Sequence, residues 1–159
     1  MKNFIHSRLI IAFLILPFLL SASVATKFKH TKTKTINKEY SVNKKASLKV
    51  DNSYGNIDIV TWNENRIVFE ITITTSGNDE EKTQERLNDI HVNFSANPDL
   101  VSAETMFGKK KSGSWWNWGN NDKVKMKINY LIKIPITNAV DLSNDYGNIN
   151  LDKLEGRAQ

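Results

Sequence analysis

The sequence predicts an all-β fold with one short helix, an antiparallel sheet or sandwich leading into a β-solenoid-like repeat. Three observations predict it. Several stretches alternate apolar and polar residues with a period of two, which turns one side of an extended chain to a core and the other to water. Turn clusters rich in Asn, Asp and Gly separate them, among them Asp51–Asn56 and Asn97-Pro98-Asp99. The segment around Tyr54-Gly55-Asn56 also recurs around Tyr146-Gly147-Asn148.

Residues 1–25 read as a secretory signal peptide. Lys2 and Arg8 give a positive start, Leu9–Leu20 is apolar around Pro17, and Ser23 and Ala25 stand at the −3 and −1 places before Thr26. The apolar run is shorter than the roughly 20 residues of a spanning helix, so no membrane span is expected after cleavage. The expected location is secreted, at the cell surface or in the periplasm. The chain has no cysteine, so neither a disulfide nor a thiol nucleophile is available. Stability is expected from the apolar core alone.

Residues 26–45 form a Lys/Thr-rich leader, read as a solvated linker with an edge strand around Thr33–Val42, because edge lysines oppose sheet-to-sheet pairing. The formal net charge of +5 falls to +3 without Lys2 and Arg8; residues 26–49, with eight lysines and one acid, hold +7, leaving −4 on residues 50–159. A basic leader on an acidic body does not match the basic face of a nucleic-acid binder, and no nucleic-acid partner is expected.

Residues 46–159 form the β-rich body. Leu48 and Val50 alternate with polar neighbours, the turn Asp51–Asn56 follows, and Ile57 and Ile59 share a face. Arg66–Thr75 places Ile67, Phe69, Ile71 and Ile73 on one side. Asn78 with Glu81 three residues later marks a helix start, with Thr83, Leu87 and Ile90 on the face that covers the sheet. His91–Ser95 and Leu100–Met106 are two further strands. Lys123–Ile134 sets Val124, Met126, Ile128, Tyr130, Ile132 and Ile134 against lysines, and Pro135 stops it. Asp141–Leu142 and Ile149–Leu151 complete the series.

The echo runs from Val50 to Ile59 and from Leu142 to Leu151, with Tyr, Gly, Asn and Ile in the same register. Ordinary turn chemistry accounts for the Gly and Asn; the glycine is expected to supply a backbone angle denied to other residues. The 92-residue offset exceeds one solenoid step of roughly 20–45 residues. The copies therefore mark two edges of like geometry or the start of an array with Leu142–Gln159 as its first rung. Rungs need neighbours, so the chain reads as incomplete at its C-terminal end. The run Tyr130–Gln159 resembles the putative-adhesin family of bacterial β-solenoid proteins. Ile132-Lys133-Ile134-Pro135 matches the family's strand end, Leu142, Gly147, Ile149 and Leu151 match one rung, and Asn52–Ile59 with Trp62 and Val68 looks like its opening segment. The likeness covers residues 46–75 and 124–159. It implies a non-catalytic adhesin-like binding module and transfers no catalytic residue.

His30 and His91 have no nucleophile context, and Gly-x-Ser-x-Gly, P-loop and zinc-helix motifs are missing from the sequence. No catalytic residue, cofactor or metal is assigned. Asp51, Asn52 and Asp58, or Asn144, Asp145 and Asn150, offer oxygens for calcium, but without EF-hand spacing; Asx side chains closing their own turns explain them as well. The binding candidates are Trp115, Trp116 and Trp118, set in the Gly-, Ser- and Asn-rich run Gly108–Asn121 beside Lys109–Lys111. Exposed indoles mark interaction sites and stack on a sugar face or a partner protein; the alternative is that they fold back onto the sheet edge. The expected function is an exported, non-catalytic surface or envelope module whose partner is a cell-surface glycan or protein. The rivals are a periplasmic structural or regulatory partner-binding protein and an envelope glycan hydrolase, which needs two opposed carboxyls.

Overall fold

The computed structural model describes residues 28–108 and 124–159. The signal-peptide segment 1–25 and Trp115, Trp116 and Trp118 lie outside the described residues. The rest forms β1 (His30–Ser41), β2 (Ser47–Ser53), β3 (Ile57–Trp62), β4 (Arg66–Gly77), α1 (Glu80–Asp89), β5 (Ile90–Asn97), β6 (Leu100–Phe107), β7 (Lys125–Pro135), β8 (Ala139–Asp145) and β9 (Ile149–Leu151).

The strands make two open sheets, ordered β1-β4-β7-β3-β9 and β5-β6-β2-β8. One core lies between them. Ile67, Phe69, Ile71 and Ile73 of β4 and Ile128, Tyr130, Ile132 and Ile134 of β7 belong to the same buried cluster as Leu48, Val50, Val101 and Ala103 of the other sheet. Phe69 meets Phe94 edge-on across the layers at 5.4 Å. Each buried large aliphatic side chain contributes about 1.5–3 kcal/mol, and the strict alternation of β4 and β7 is what delivers them to one side.

The expected antiparallel pairing holds for β1/β4, β4/β7 and β5/β6. It fails toward the β8 and β9 ends of the sheets. β2 lies parallel to β6 and β8, and β3 lies parallel to β7 and β9. The cause is the turn between β2 and β3. It carries the chain from one sheet to the other instead of folding it back as a hairpin, so both strands take partners from distant chain.

The leader is more ordered than a solvated linker. β1 is a 12-residue strand, and among the described residues it is an edge strand paired with β4 alone. Its Lys-x-Lys alternation aims cations at α1. Lys32 Nζ donates to Glu80 at 2.5 Å, and Lys34 Nζ donates to the carbonyls of Leu87 and Ile90 at 2.7 and 2.6 Å. A cation at a helix C-terminus satisfies carbonyls that have no intrahelical partner. Partial burial there holds the Lys34 ammonium below its ordinary pKa. The helix begins one residue later than expected. Asp79, not Asn78, is the cap, accepting from the Lys82 N–H at 3.0 Å. Thr83 and Leu87 face inward, and Thr75 of β4 donates to the Thr83 carbonyl at 2.9 Å.

The turn expected at Asp51–Asn56 is shorter, because β2 continues to Ser53 and Asn52 is buried within it. A buried amide survives in a strand when it is fully bonded. Asn52 donates to Ile128 O and Asn144 Oδ1, both at 3.1 Å, and accepts from Thr105 Oγ1 at 2.9 Å. Thr105 Oγ1 is also 2.7 Å from Tyr130 Oη. Burial pushes the Tyr130 phenol up to about 12, against the lowering effect of its Thr105 hydrogen bond, with the Asp51 charge adding to the rise. The fold thus favours the neutral phenol. Its stabilisation is complete below the unfolded-chain value near 10 and is lost as pH rises through about 12. Urea unfolding across pH 9–12 is expected to show a flatter loss of stability for Tyr130→Phe than for the parent protein; equal slopes would assign the alkaline loss to other groups.

Candidate functional site

The two echo copies lie on one another. In one sheet Val50 pairs with Leu142, Asn52 with Asn144 and Ser53 with Asp145; in the other Ile57 pairs with Ile149 and Ile59 with Leu151. Every pair keeps the offset of 92 residues seen in the sequence. Each copy is a strand-turn-strand arc that crosses from one sheet to the other, and the second arc is stacked residue on residue upon the first. Like side chains then meet like. Besides the Asn52–Asn144 bond, Asn144 Nδ2 donates to Gly55 O at 2.8 Å, Asn148 N to Asn56 Oδ1 at 3.2 Å and Asn150 Nδ2 to Asp58 Oδ1 at 2.6 Å. The backbone joins in, Tyr54 N to Asp145 O at 2.8 Å and Ile57 N to Asn148 O at 2.9 Å. Of the groups weighed for calcium, the side chains of Asn52, Asp58, Asn144 and Asn150 are thus drawn into the contact between arcs. Among the described residues no three His, Cys, Asp or Glu side chains gather as metal ligands would.

The turn divides its labour in an unexpected way. Neither Gly55 nor Gly147 has positive φ; the left-handed residues are Tyr54 at 66° and Tyr146 at 62°. The glycines serve close approach. A Cβ on Gly55 would sit 1.9 Å from Ile128 O, and one on Gly147 1.6 Å from Gly55 O. For a bulky L-residue the left-handed region is a true outlier, costing about 1–2 kcal/mol.

What the strain achieves is a platform of rings. Tyr54 and Tyr146 stack at 5.2 Å with planes 13° apart, and Phe107 abuts Tyr54 edge-on at 5.9 Å. Tyr146, on the outer arc, is 79% exposed. A solvent-open cleft of about 470 Å³ lies alongside, lined by Tyr54, Gly55, Asn56, Thr74, Ser76, Lys125, Met126, Lys127 and Tyr146. Phe107 ends β6 and Lys125 opens β7; Trp115, Trp116 and Trp118 fall between them in the sequence, outside the described residues. His30 lies in β1, 3.8 Å from Glu80, and His91 is exposed in β5; neither reaches the cleft. Tyr54, Tyr146 and Phe107 are not among the binding candidates named from the sequence. The available signal was the tyrosine common to both copies.

No protein-family model matches the chain, and no curated protein matches it. Two solved structures are similar to it. One is described as a "putative cell adhesion protein" from Clostridium sporogenes ATCC 15579, with a TM-score of 0.39, 18% identity, and 76% of this chain aligned to 51% of that one. The other is described as a "putative adhesin" from Bacteroides fragilis NCTC 9343, with a TM-score of 0.34, 16% identity, and 79% of this chain aligned to 51% of that one. The chain spans about half the length of each.

Two substitutions separate scaffold from platform. Gly147→Ala is expected to lower stability by about 3 kcal/mol, the upper range for overpacking. Tyr146→Gly is expected to shift it by less than about 1 kcal/mol, because relief of the left-handed strain offsets the lost ring stacking. Urea denaturation of both variants checks the contrast.

Proposed function

We propose that the protein is an exported, non-catalytic binding module of adhesin-like type that acts at the cell surface. The observation that carries this is the pair of left-handed, stacked tyrosines with the outer ring turned to water. Strained residues that the core does not need mark functional positions, and a flat exposed ring is an interaction surface. In the sequence, Trp115, Trp116 and Trp118 lie between β6 and β7. The signal-peptide pattern of residues 1–25 supplies the route out of the cell.

The repeat-array reading has its own support. Residues 157–159 lie on β8 as β8 lies on β2: Val140 bridges Ala158 in parallel, and Leu142 N and Val140 N donate to Gln159 O at 3.0 Å and Arg157 O at 2.8 Å. The step from 140 to 158 is 18 residues, close to the roughly 20-residue lower end of solenoid repeats. In this reading each rung adds one more arc to the stack.

Protease treatment of intact producing cells is expected to release peptides from residues 66–82 and 124–153 before lysis, read by mass spectrometry. Release only after the envelope is permeabilised favours the periplasmic partner-binding alternative. Purified protein is expected to bind surfaces of target cells, with about tenfold loss, or roughly 1.4 kcal/mol, for Tyr146→Gly and for the triple Ala variant of Trp115, Trp116 and Trp118. Undiminished binding by both variants would sink the aromatic-platform reading.

A further inference from the structure

The outer face of β1, β4 and β7 carries a patch of hydrogen-bond donors with no acid in it. Strand register sets the patch. Thr31, Ser76 and Lys125 stand side by side across the three strands, and Thr33, Thr74 and Lys127 form the next rank. Alternation points all six away from the core, since Ile73, Thr75 and Ile128 are buried on the other side. Thr72 and Asn129 belong to a neutral third rank. Among the described residues, the first carboxylates on this face are Glu70 and Asp58, one rank further on, both beside Leu131. Glu80 lies on the opposite side of the sheet, held by Lys32. Thr31 Oγ1 is 3.0 Å from Ser76 Oγ, and Thr33 Oγ1 is 3.3 Å from Thr74 Oγ1. Each pair uses one proton between its two oxygens and keeps the other for an outside acceptor. Lys125 and Lys127 are exposed, and neither is in an ion pair among the described residues. Lys125 Nζ rests 5.2 Å from the centre of the Phe28 ring, a contact weaker than a charge-assisted hydrogen bond.

We infer that this face binds the tetrahedral oxyanion of a sugar ester, a phosphate or sulfate group carried on a glycan, between Lys125 and Lys127 and the hydroxyls of Thr74 and Ser76. The inference rests on the binding-module reading and gives that module a second contact face with its own ligand class. The two ammonium groups leave β7 roughly 6.6–6.8 Å apart, and the hydroxyl row of β4 runs about 4.7–4.9 Å beside them. A group with oxygens in several directions takes an ammonium and a hydroxyl together. A carboxylate holds both oxygens in one plane and gives up part of that set. The neutral third rank meets the hydroxyls of the sugar. Nucleic acid does not fit, because its affinity is built from many phosphate contacts, and the net charge of −4 on residues 50–159 opposes a dense polyanion. An isolated charge on a neutral glycan meets the two cations without that repulsion. Two exposed charge contacts amount to about a three- to tenfold gain in affinity, and the gain weakens as salt is added.

The test is an amide NMR titration of the whole isotope-labelled protein at low salt, with glucose-6-phosphate, glucose-6-sulfate, glucuronate and glucose. Both esters are expected to bind at least about threefold tighter than glucuronate or glucose and to move the signals of Thr74, Ser76, Lys125 and Lys127. The tighter of the two esters names the source of the anion. The Lys125→Gln, Lys127→Gln double variant is expected to erase the preference, and Thr74→Val to weaken ester binding about threefold. Lys133→Gln with Lys153→Gln, which removes the same charge elsewhere, is expected to change nothing. Equal affinity for glucuronate, signal shifts confined to other parts of the fold, or an equal loss in the Lys133/Lys153 control each overturns the oxyanion assignment. If neither ester binds while the parent protein binds target cells, the ligand class falls and the binding-module reading stands. If neither an ester nor a target cell is bound, both fall.

Discussion

Backbone lying directly on backbone, with no side chain between, is the constraint on which the rest of this molecule depends. β7, the first arc and the second arc form three successive layers, and the contacts from Gly55 to Ile128 O and from Gly147 to Gly55 O leave no room for even a methyl group. Only at that distance do the amides of one layer reach the carbonyls of the next: Ile128 N to Tyr54 O and Tyr130 N to Asn56 O, both at 2.8 Å, then Tyr54 N to Asp145 O. The ring spacing of 5.2 Å is little more than the 4.7–4.9 Å between neighbouring strands. The tyrosines therefore stack because the strands beneath them do. The aromatic platform is a direct projection of the ladder spacing onto the surface.

A polar seam inside the sandwich fixes which residues meet. Asn52 and Tyr130 each bond Thr105, and Asn52 also bonds the Ile128 carbonyl, within a mostly apolar interior. In a low-dielectric interior a satisfied network is strong and a broken one costly. A one-residue slip of any strand here turns its inward residues outward, so Asn52 would leave Thr105 and Asn144 unpaired. Asn138 is less well served: its amide nitrogen reaches the Asn43 and Lys44 carbonyls, while its buried Oδ1 has no partner among the described residues.

The strands were the legible part of this sequence, and the directions of pairing were not. β4 and β7 announce themselves by alternation, since burial on one side writes itself into every second residue. Alternation carries no information on which strand lies beside which or in what sense, so the parallel neighbours of β2 and β3 have no local signature. The helix cap was off by one because Asn78 and Asp79 both carry an acceptor; the choice falls to Asp79 because β4 runs to Gly77 and Thr83 is tied to Thr75 and to Asp79 O. The turn glycines were read for their backbone angle. Their real use, making room for a carbonyl brought from more than seventy residues away, is tertiary and invisible in sequence. The echo was legible as an echo. That its tyrosines are the strained residues, and that one of them faces water, emerges only when the two copies are laid together. Trp115, Trp116 and Trp118 stood out by composition alone.

The order in which strands find partners sets a timetable for folding. β2 and β3 are interior strands, yet Ser47 waits for Leu100 and Ala139, and Ile57 for Tyr130 and Ile149. Until residues 139–151 are made, each keeps one flank of bare N–H and C=O groups, a template for wrong pairing. β1 fares little better, since its partner β4 is completed only at Gly77. Chains dominated by distant pairings fold over milliseconds to seconds, not microseconds. β2 and β3 therefore stay half-open until residues 139–151 have been made, which leaves this stretch threadable for as long as the second arc is unmade.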